Sequence, residues 1–190
     1  MNPHLSSGVF SQSWWPGNGG RPYDDCWCLA DMMAVHAVAP WLSLPSVVKY
    51  RKAAGNPDEP GIPDGGTIDQ SAKAIRALWP KIGKLIKVLK ADSWAEFEAA
   101  ITKDRTASLS VKSGSLPLSH QYGFKGTHRV CVAKVDSGWL IANPLAPPHS
   151  YYRTISEAAL QKAVRDYPAQ GTYAIVMPSV AAAFKTHPLA

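Results

Sequence analysis

One short stretch of the sequence combines a nucleophilic side chain with the start of a helix. The run from Tyr23 to Ala30, YDDCWCLA, leads from a polar, turn-forming segment into an apolar helix that begins near Cys26. Asp24 or Asp25 can cap this helix, and a thiol there lies against exposed backbone N–H groups and the positive end of the helix dipole. These effects favour the reactive thiolate, so we interpret Cys26 as a nucleophile. The alternative is a buried structural cysteine.

A thiolate that transfers acyl groups needs an imidazole within hydrogen-bonding reach and a polar group that orients the ring. His128 begins a strand predicted over 128–135, and Asn143 directly follows a strand predicted over 139–142. If the chain turns at Ser137-Gly138, these strands form a hairpin and the two residues lie towards the same end of it. The alternatives are a strand-end histidine without a catalytic task and an asparagine that only makes a turn.

His120 is a second candidate for the base. It falls in a loop predicted over 114–126, which is rich in Gly, Ser and Pro. Because rigid elements place catalytic groups better than loops do, we predict that His128 is the base.

Several of these residues are also soft metal ligands, so a zinc site is an alternative interpretation. The candidate ligands are Cys26, Cys28, His36, His128 and Cys131. A Cys-x-Cys pair on a helix projects its thiols about 200° apart, from 3.6 residues per turn, so the pair cannot chelate one ion. His36 on an apolar helix face and Cys131 in a strand are better explained as core residues. We therefore expect neither a metal nor a cofactor.

The first half of the chain has mainly helical patterns. Helices are predicted over residues 25–38, 45–54, 67–79 and 93–101. Capping boxes begin the last two, with Thr67 and Ser93 as the caps. A strand is predicted over 85–89. Residues 1–22 are rich in Gly, Pro, Ser and Asn and are predicted to form a loop or flap.

The period changes from helical to twofold at Thr106. Further strands are predicted over 106–111, 128–135, 139–142 and 172–177, and one more helix over 156–166. Residues 178–190 are predicted to form a poorly constrained tail. The predicted fold class is α+β, with a helical N-terminal half packed on a C-terminal antiparallel β-sheet in a single domain, 1–190.

These features resemble the papain-like cysteine peptidases, in which Cys, His and Asn follow one another in this order. The resemblance is closest to the branch typified by bacteriocin-processing peptidases. Its Asp-Cys before a helix corresponds to Asp25-Cys26, and its Gly-x-His at a hairpin to Gly126-Thr127-His128. Its Asn-Pro after the second strand corresponds to Asn143-Pro144. The usual Cys-Gly-Pro is here Cys26-Trp27-Cys28, closer to the Cys-Trp of papain.

The resemblance implies a papain-like fold and an amide hydrolase that forms a thioester on Cys26. His128 would be the general base and then the general acid, with Asn143 as its orienter. Gln12 and the backbone N–H of Cys26 would donate to the oxyanion. The implied partner is a peptide substrate, either in a protein or in bacterial peptidoglycan.

A structural or interaction protein that retains the peptidase fold is the alternative function, because a fold does not prove an activity. The papain-like branch includes hydrolases that bacteriophages carry in their tails or release at lysis. A chain of that kind would have other virion proteins as partners. A hyper-reactive thiol would distinguish the enzyme from the scaffold.

Charge and composition limit the classes of partner. The 190 residues are 46% hydrophobic and 18% charged, which suits one compact domain, and the formal net charge is +6. The basic residues are scattered rather than clustered, so we interpret them as a solvated face and expect no nucleic-acid partner. A basic surface would also suit an anionic cell wall.

Cysteine count and hydropathy bear on the compartment. The three cysteines are an odd number, which favours a reducing environment. No basic region followed by an apolar run begins the chain, and no apolar run is long enough to span a bilayer. We therefore expect a soluble protein without a signal peptide, cytoplasmic when made and then virion-associated or released at lysis.

Overall fold

The structure, a computed structural model, describes residues 25–57, 65–91, 93–146, 152–169 and 171–187. The helices in these residues are α1 (Cys26–Val38), α2 (Val47–Ala54), α3 (Ile68–Leu78), α4 (Pro80–Gly83), α5 (Trp94–Ala100), α6 (Leu118–Gln121), α7 (Glu157–Arg165) and α8 (Val180–Phe184). The strands are β1 (Lys87–Ala91), β2 (Thr106–Lys112), β3 (Thr127–Val135), β4 (Gly138–Ala142), β5 (Tyr152–Ile155) and β6 (Thr172–Val176). No helix among these residues is long and apolar enough to cross a membrane.

The six strands form one antiparallel sheet in the order β1-β6-β2-β3-β4-β5. β3 pairs with β2 on one side and with β4 on the other, where Cys131 lies opposite Ala142. β6, the last of these strands in sequence, lies between β1 and β2. The prediction of an α+β fold with an antiparallel sheet is confirmed.

Helices cover both faces of the sheet. On one face, α1, α2 and α3 form an apolar cluster that includes Leu29 and Ile75 and reaches Cys131 on β3. On the other face, Phe97 of α5 and Leu160 of α7 belong to a second cluster. β2 is therefore buried at six consecutive positions, including its polar side chains.

The predicted helix caps at Thr67 and Ser93 are confirmed by hydrogen bonds. The backbone N–H of Gln70 donates to Oγ1 of Thr67 at 3.2 Å, and the backbone N–H of Thr67 donates to Oε1 of Gln70 at 2.8 Å. The hydroxyl of Ser93 accepts from the backbone N–H of Glu96 at 3.4 Å. Each cap satisfies a backbone donor that the first turn leaves without a helical partner.

The starts of two elements, α2 and β1, differ from the predictions by two residues. α2 begins at Val47 instead of residue 45, because the hydroxyl of Ser46 accepts a hydrogen bond from the backbone N–H of Lys49 and caps the helix there. The first strand is β1, at Lys87–Ala91 instead of 85–89. It starts later because Pro80 begins the one-turn helix α4 directly after α3.

The hairpin turn lies one residue earlier than predicted, because Gly138 pairs with Val135 and belongs to β4. Four of these elements were not predicted: the one-turn helix α4, α6 within the loop 114–126, strand β5, and α8 within the tail. Val180 and Ala183 of α8 are buried, so this part of the tail is packed against the core. The predicted flap, 1–22, lies outside the described residues.

Candidate active site

Cys26 is the first residue of α1, and its exposed fraction is only 9%. Asp25 occupies the N-cap position, but its carboxylate makes no capping hydrogen bond to the helix. Its Oδ1 accepts a hydrogen bond from Nη1 of Arg51 at 3.1 Å. The prediction that the Asp25 side chain caps the helix is therefore wrong, and Asp24 lies outside the described residues.

The surroundings of Cys26 oppose ionisation of its thiol. Burial raises the pKa of Cys26 to about 11, because the thiolate would lose its hydration. The backbone N–H and the positive charge of Arg129, together with the backbone N–H of Trp27, lower this pKa in part, and the charge of Asp25 raises it. The prediction that the helix start favours the thiolate is outweighed by burial, so the thiol is protonated at neutral pH.

Cys26 and His128 line the same cavity, which has a volume of about 230 Å³. The remaining lining residues are Trp27, Gly65, Gly66, Ser110, Phe124, Thr127, Arg129 and Tyr167. A side chain at Gly66 would place its Cβ 2.2 Å from Cδ2 of Trp27, so the absence of a side chain lets this segment lie against the indole. The cavity thus brings the predicted nucleophile and the predicted base together from α1 and β3.

The side-chain amide of Asn143 forms a hydrogen bond with the ring of His128. Oδ1 of Asn143 lies 2.7 Å from Nε2 of His128. The same Oδ1 accepts from the backbone N–H of Leu145 at 2.8 Å, and Nδ2 of Asn143 donates to the carbonyl oxygen of His120 at 2.8 Å. These two backbone partners fix the orientation of the amide. Because an amide oxygen only accepts, Nε2 of His128 carries the proton and Nδ1 is the basic nitrogen.

The imidazole of His128 is neutral at ordinary pH. It is 3% exposed, and Nδ1 has no hydrogen-bond partner within the described part of the chain. Burial lowers the pKa of His128 to about 4, although the hydrogen bond to Asn143 raises it in part. The ring of Phe124 contacts that of His128 edge-on, with centroids 5.7 Å apart. Nδ1 is therefore an unprotonated base beside the cavity.

His120 contributes its backbone to this arrangement. It lies in α6, where its Nδ1 is 2.9 Å from Oγ of Ser119 and its Nε2 is 3.2 Å from the carbonyl oxygen of Thr154. Its own carbonyl oxygen accepts the hydrogen bond from Asn143. The imidazole of His120 is thus directed to β5 and is not among the groups that line the cavity.

The remaining candidate residues of the alternative zinc site are not among those that line the cavity. Cys28 and Cys131 are fully buried in the apolar cluster on the α1 face of the sheet, and burial raises the pKa of both thiols. His36 is partly exposed on α1. Among the described residues, no group of three or more His, Cys, Asp or Glu side chains is placed to bind a metal. Gln12 lies outside the described residues.

A buried polar network beside Cys26 was not predicted from the sequence. Asp31 of α1 is fully buried, and the hydroxyl of Tyr50 donates to its Oδ2 at 2.9 Å. Nη1 of Arg129 lies 3.8 Å from the same oxygen and donates to Oγ of Ser71 at 2.5 Å. The signals available in the sequence are a carboxylate inside an apolar helix and an arginine inside an apolar strand, because such charges are rarely buried without partners.

The fold is that of the papain-like peptidases. Among solved structures, the chain is similar to the crystal structure of a candidate C39-like peptidase from Bacillus anthracis, with a TM-score of 0.61. The two chains are 11% identical, and the similarity covers 93% of this chain and 96% of that chain. At this identity the likeness shows the fold, and it confirms the predicted fold class. No protein-family model matches the sequence, and no curated protein is significantly similar to it.

Proposed function

We propose that this chain is a cysteine peptidase that hydrolyses amide bonds, with Cys26 as nucleophile, His128 as base and Asn143 as orienter. The observation that carries this proposal is the shared cavity of Cys26 and His128, combined with the 2.7 Å contact between His128 and Asn143. The contact leaves Nδ1 of His128 as the basic nitrogen. A nucleophile, a base and an orienter are the three groups that thiol-based acyl transfer requires.

The reaction begins from a neutral thiol and a neutral imidazole, because the pKa of Cys26 is about 11 and that of His128 about 4. Proton transfer between them before attack is unfavourable. Nδ1 of His128 therefore takes the proton as the sulfur bonds to the substrate carbonyl carbon. The imidazolium returns this proton to the leaving amine, which leaves a thioester on Cys26. Water then attacks the thioester while His128 takes its proton. The C–S bond breaks, the imidazolium returns the proton to the sulfur of Cys26, and the acid product is released.

The developing oxyanion needs hydrogen-bond donors. The first intrahelical hydrogen bond of α1 is donated by the backbone N–H of Leu29 to the carbonyl oxygen of Asp25 at 3.1 Å. The backbone N–H of Cys26 therefore has no acceptor within the helix, and we propose it as one donor. Gln12 remains the proposed second donor on the basis of the sequence resemblance.

Peptides of a bacterial cell wall are the proposed substrate class. The formal net charge of +6 complements the anionic polymers of such walls. The test is the release of new amino groups from purified peptidoglycan and from unfolded protein, each incubated with the protein and with its Cys26→Ser variant. Release that depends on Cys26 supports a peptidase, and preference for peptidoglycan supports the substrate class.

A negative result in two measurements would contradict the proposed peptidase activity. If neither substrate is cleaved and iodoacetamide modifies Cys26 no faster than it modifies Cys28 in the folded protein, the peptidase proposal is contradicted. A virion scaffold that retains the fold would then account better for the chain.

A further inference from the structure

Arg129 is a buried arginine that lines the same cavity as Cys26. It follows His128 on β3 and is 4% exposed. Its backbone N–H and its positive charge each lower the pKa of Cys26 in part. A guanidinium is costly to bury, so a buried arginine in the cavity of the proposed nucleophile calls for a physical reason.

Three elements of the fold, α1, α3 and β2, contact this guanidinium, and α2 supports one of these contacts. Nη1 of Arg129 donates to Oγ of Ser71 on α3 at 2.5 Å, and Nη2 donates to Oγ of Ser110 on β2 at 3.4 Å. Asp31 on α1 lies 3.8 Å from Nη1, and its Oδ2 accepts the shorter hydrogen bond from Tyr50 on α2. These contacts therefore fix the orientation of the Arg129 side chain.

The positive charge of Arg129 is only partly balanced by these contacts. Its two hydrogen bonds go to neutral hydroxyl groups, and the distance to Asp31 exceeds that of a hydrogen bond. Arg51, the other buried arginine nearby, makes a closer pair with Asp25, at 3.1 Å. His128 is neutral at ordinary pH. Within the described part of the chain, Arg129 is thus the cation that lines the cavity without a carboxylate in hydrogen-bonding contact.

We propose that Arg129 is a positioning residue whose fixed positive charge stabilises the negative charge that develops on the sulfur of Cys26 as its proton passes to His128. In a buried site such a charge acts through a lower effective dielectric than in water. The guanidinium need not touch the substrate. The inference rests on the proposed function, since it concerns the sulfur that would attack the substrate.

Other titratable and charged groups lie near the start of α1 or line the cavity. They are Asp25, Cys28, Asp31, Tyr50, Arg51, His128 and Tyr167. Asp25 acts on Cys26 with the opposite sign to Arg129, because its negative charge disfavours a second anion. The two residues therefore offer a pair of variants with opposite expected effects.

The experiment is the rate of alkylation of Cys26 by iodoacetamide as a function of pH, followed by mass mapping. The variants are Arg129→Lys, Asp25→Asn, and Arg129→Met combined with Asp31→Asn. The combined variant removes the arginine without leaving an unpaired buried carboxylate. Below the thiol pKa, the rate is proportional to the thiolate fraction, so a pKa change of one unit alters the rate by about tenfold.

We expect the combined variant to react at least about tenfold more slowly than the unmodified protein at about pH 9, a loss of one pH unit in the profile. Arg129→Lys should stay within about threefold because it keeps the charge, and Asp25→Asn should react faster. The melting temperature of each variant, measured in parallel, shows whether the substitution acts only by destabilising the fold.

An unchanged pH profile in the combined variant would overturn the proposal, as would an equal slowing in Arg129→Lys. If the combined variant does not fold, an unchanged profile in Asp25→Asn would count against control of the sulfur by its charged neighbours. Alkylation needs no substrate, so failure of this inference is distinguishable from failure of the peptidase proposal.

Discussion

The amide oxygen of Asn143 lies 2.7 Å from Nε2 of His128, while the backbones of His120 and Leu145 fix that amide from its other sides. The tautomer of His128 is therefore set by backbone geometry outside the cavity. Nδ1 is basic before any substrate arrives, so binding energy need not be used to orient the ring.

The first prediction concerns Asn143. Asn143→Ala should lower turnover, because the ring loses its orienter, and should leave alkylation of Cys26 largely intact. Asn143→Asp keeps the acceptor for His128 but replaces the donor to the carbonyl oxygen of His120 by an oxygen. It should therefore lower the free energy of unfolding by about 1–3 kcal/mol. The measurements are turnover per titrated active site and melting temperature. Unaltered turnover in Asn143→Ala would remove Asn143 from the site.

The second prediction separates the two histidines. His128→Ala should abolish hydrolysis, because it removes the base that takes the thiol proton. His120→Ala should retain most of the activity, because the backbone carbonyl that holds Asn143 remains and the lost ring contacts are with Ser119 and Thr154. Initial rates with one peptide substrate would compare the two variants. The reverse ranking would assign the base to His120.

The third prediction concerns selective alkylation. In the folded protein, iodoacetamide should modify Cys26 well before Cys28 or Cys131, because the latter two are fully buried while Cys26 lines the cavity. The rate at Cys26 should rise with pH towards about 11, without the plateau that a thiolate–imidazolium pair would give. Mass mapping at several pH values is the measurement, with Cys28→Ser as the matched control. Equal labelling of Cys26 and Cys28 would contradict it.

The fourth prediction is a loss of stability on acidification. The pKa of His128 is about 4 in the folded protein and 6.5 as the ordinary value, so between these values the unfolded chain binds more protons. The contribution of His128 is fully present above about pH 6.5 and is lost as the pH falls towards 4. The loss approaches about 3 kcal/mol, since one pKa unit corresponds to about 1.4 kcal/mol.

Denaturant unfolding at several pH values would measure this dependence, with His128→Gln as the control that removes the titrating group. A pH dependence of the same size in His128→Gln would show that other groups cause it. Turnover should fall in parallel as His128 is protonated, with a midpoint near pH 4.

Local signals in the sequence were sufficient to predict the helix and the strands that carry the proposed catalytic residues. The polar segment before Cys26 and the capping box at Thr67 act through neighbouring residues, so helix starts could be read without the fold. The alternation in β3 and the turn near Gly138 likewise predicted the hairpin that joins His128 to Asn143. The pairing in the structure places their side chains in contact.

The features that could not be predicted from the sequence depend on tertiary contacts. The pKa of Cys26 depends on how deeply α1 is covered, which no local pattern encodes. The network of Asp31 and Arg129 joins residues that are distant in sequence, and its hydroxyl partners, Ser71 and Ser110, are ordinary in composition. Strand β5 lies at the edge of the sheet with three exposed positions, so it lacks a continuous apolar signal.

The position of β6 within the sheet has a consequence for synthesis of the protein. β6 lies between β1 and β2, although it is made after both. A chain emerging from the ribosome carries Cys26, His128 and Asn143 well before residues 172–176 appear, and until then β1 lacks its partner and β2 lacks one of its two. The sheet that supports the candidate site is therefore completed late, and the fold of a nascent chain remains incomplete until β6 has entered the sheet.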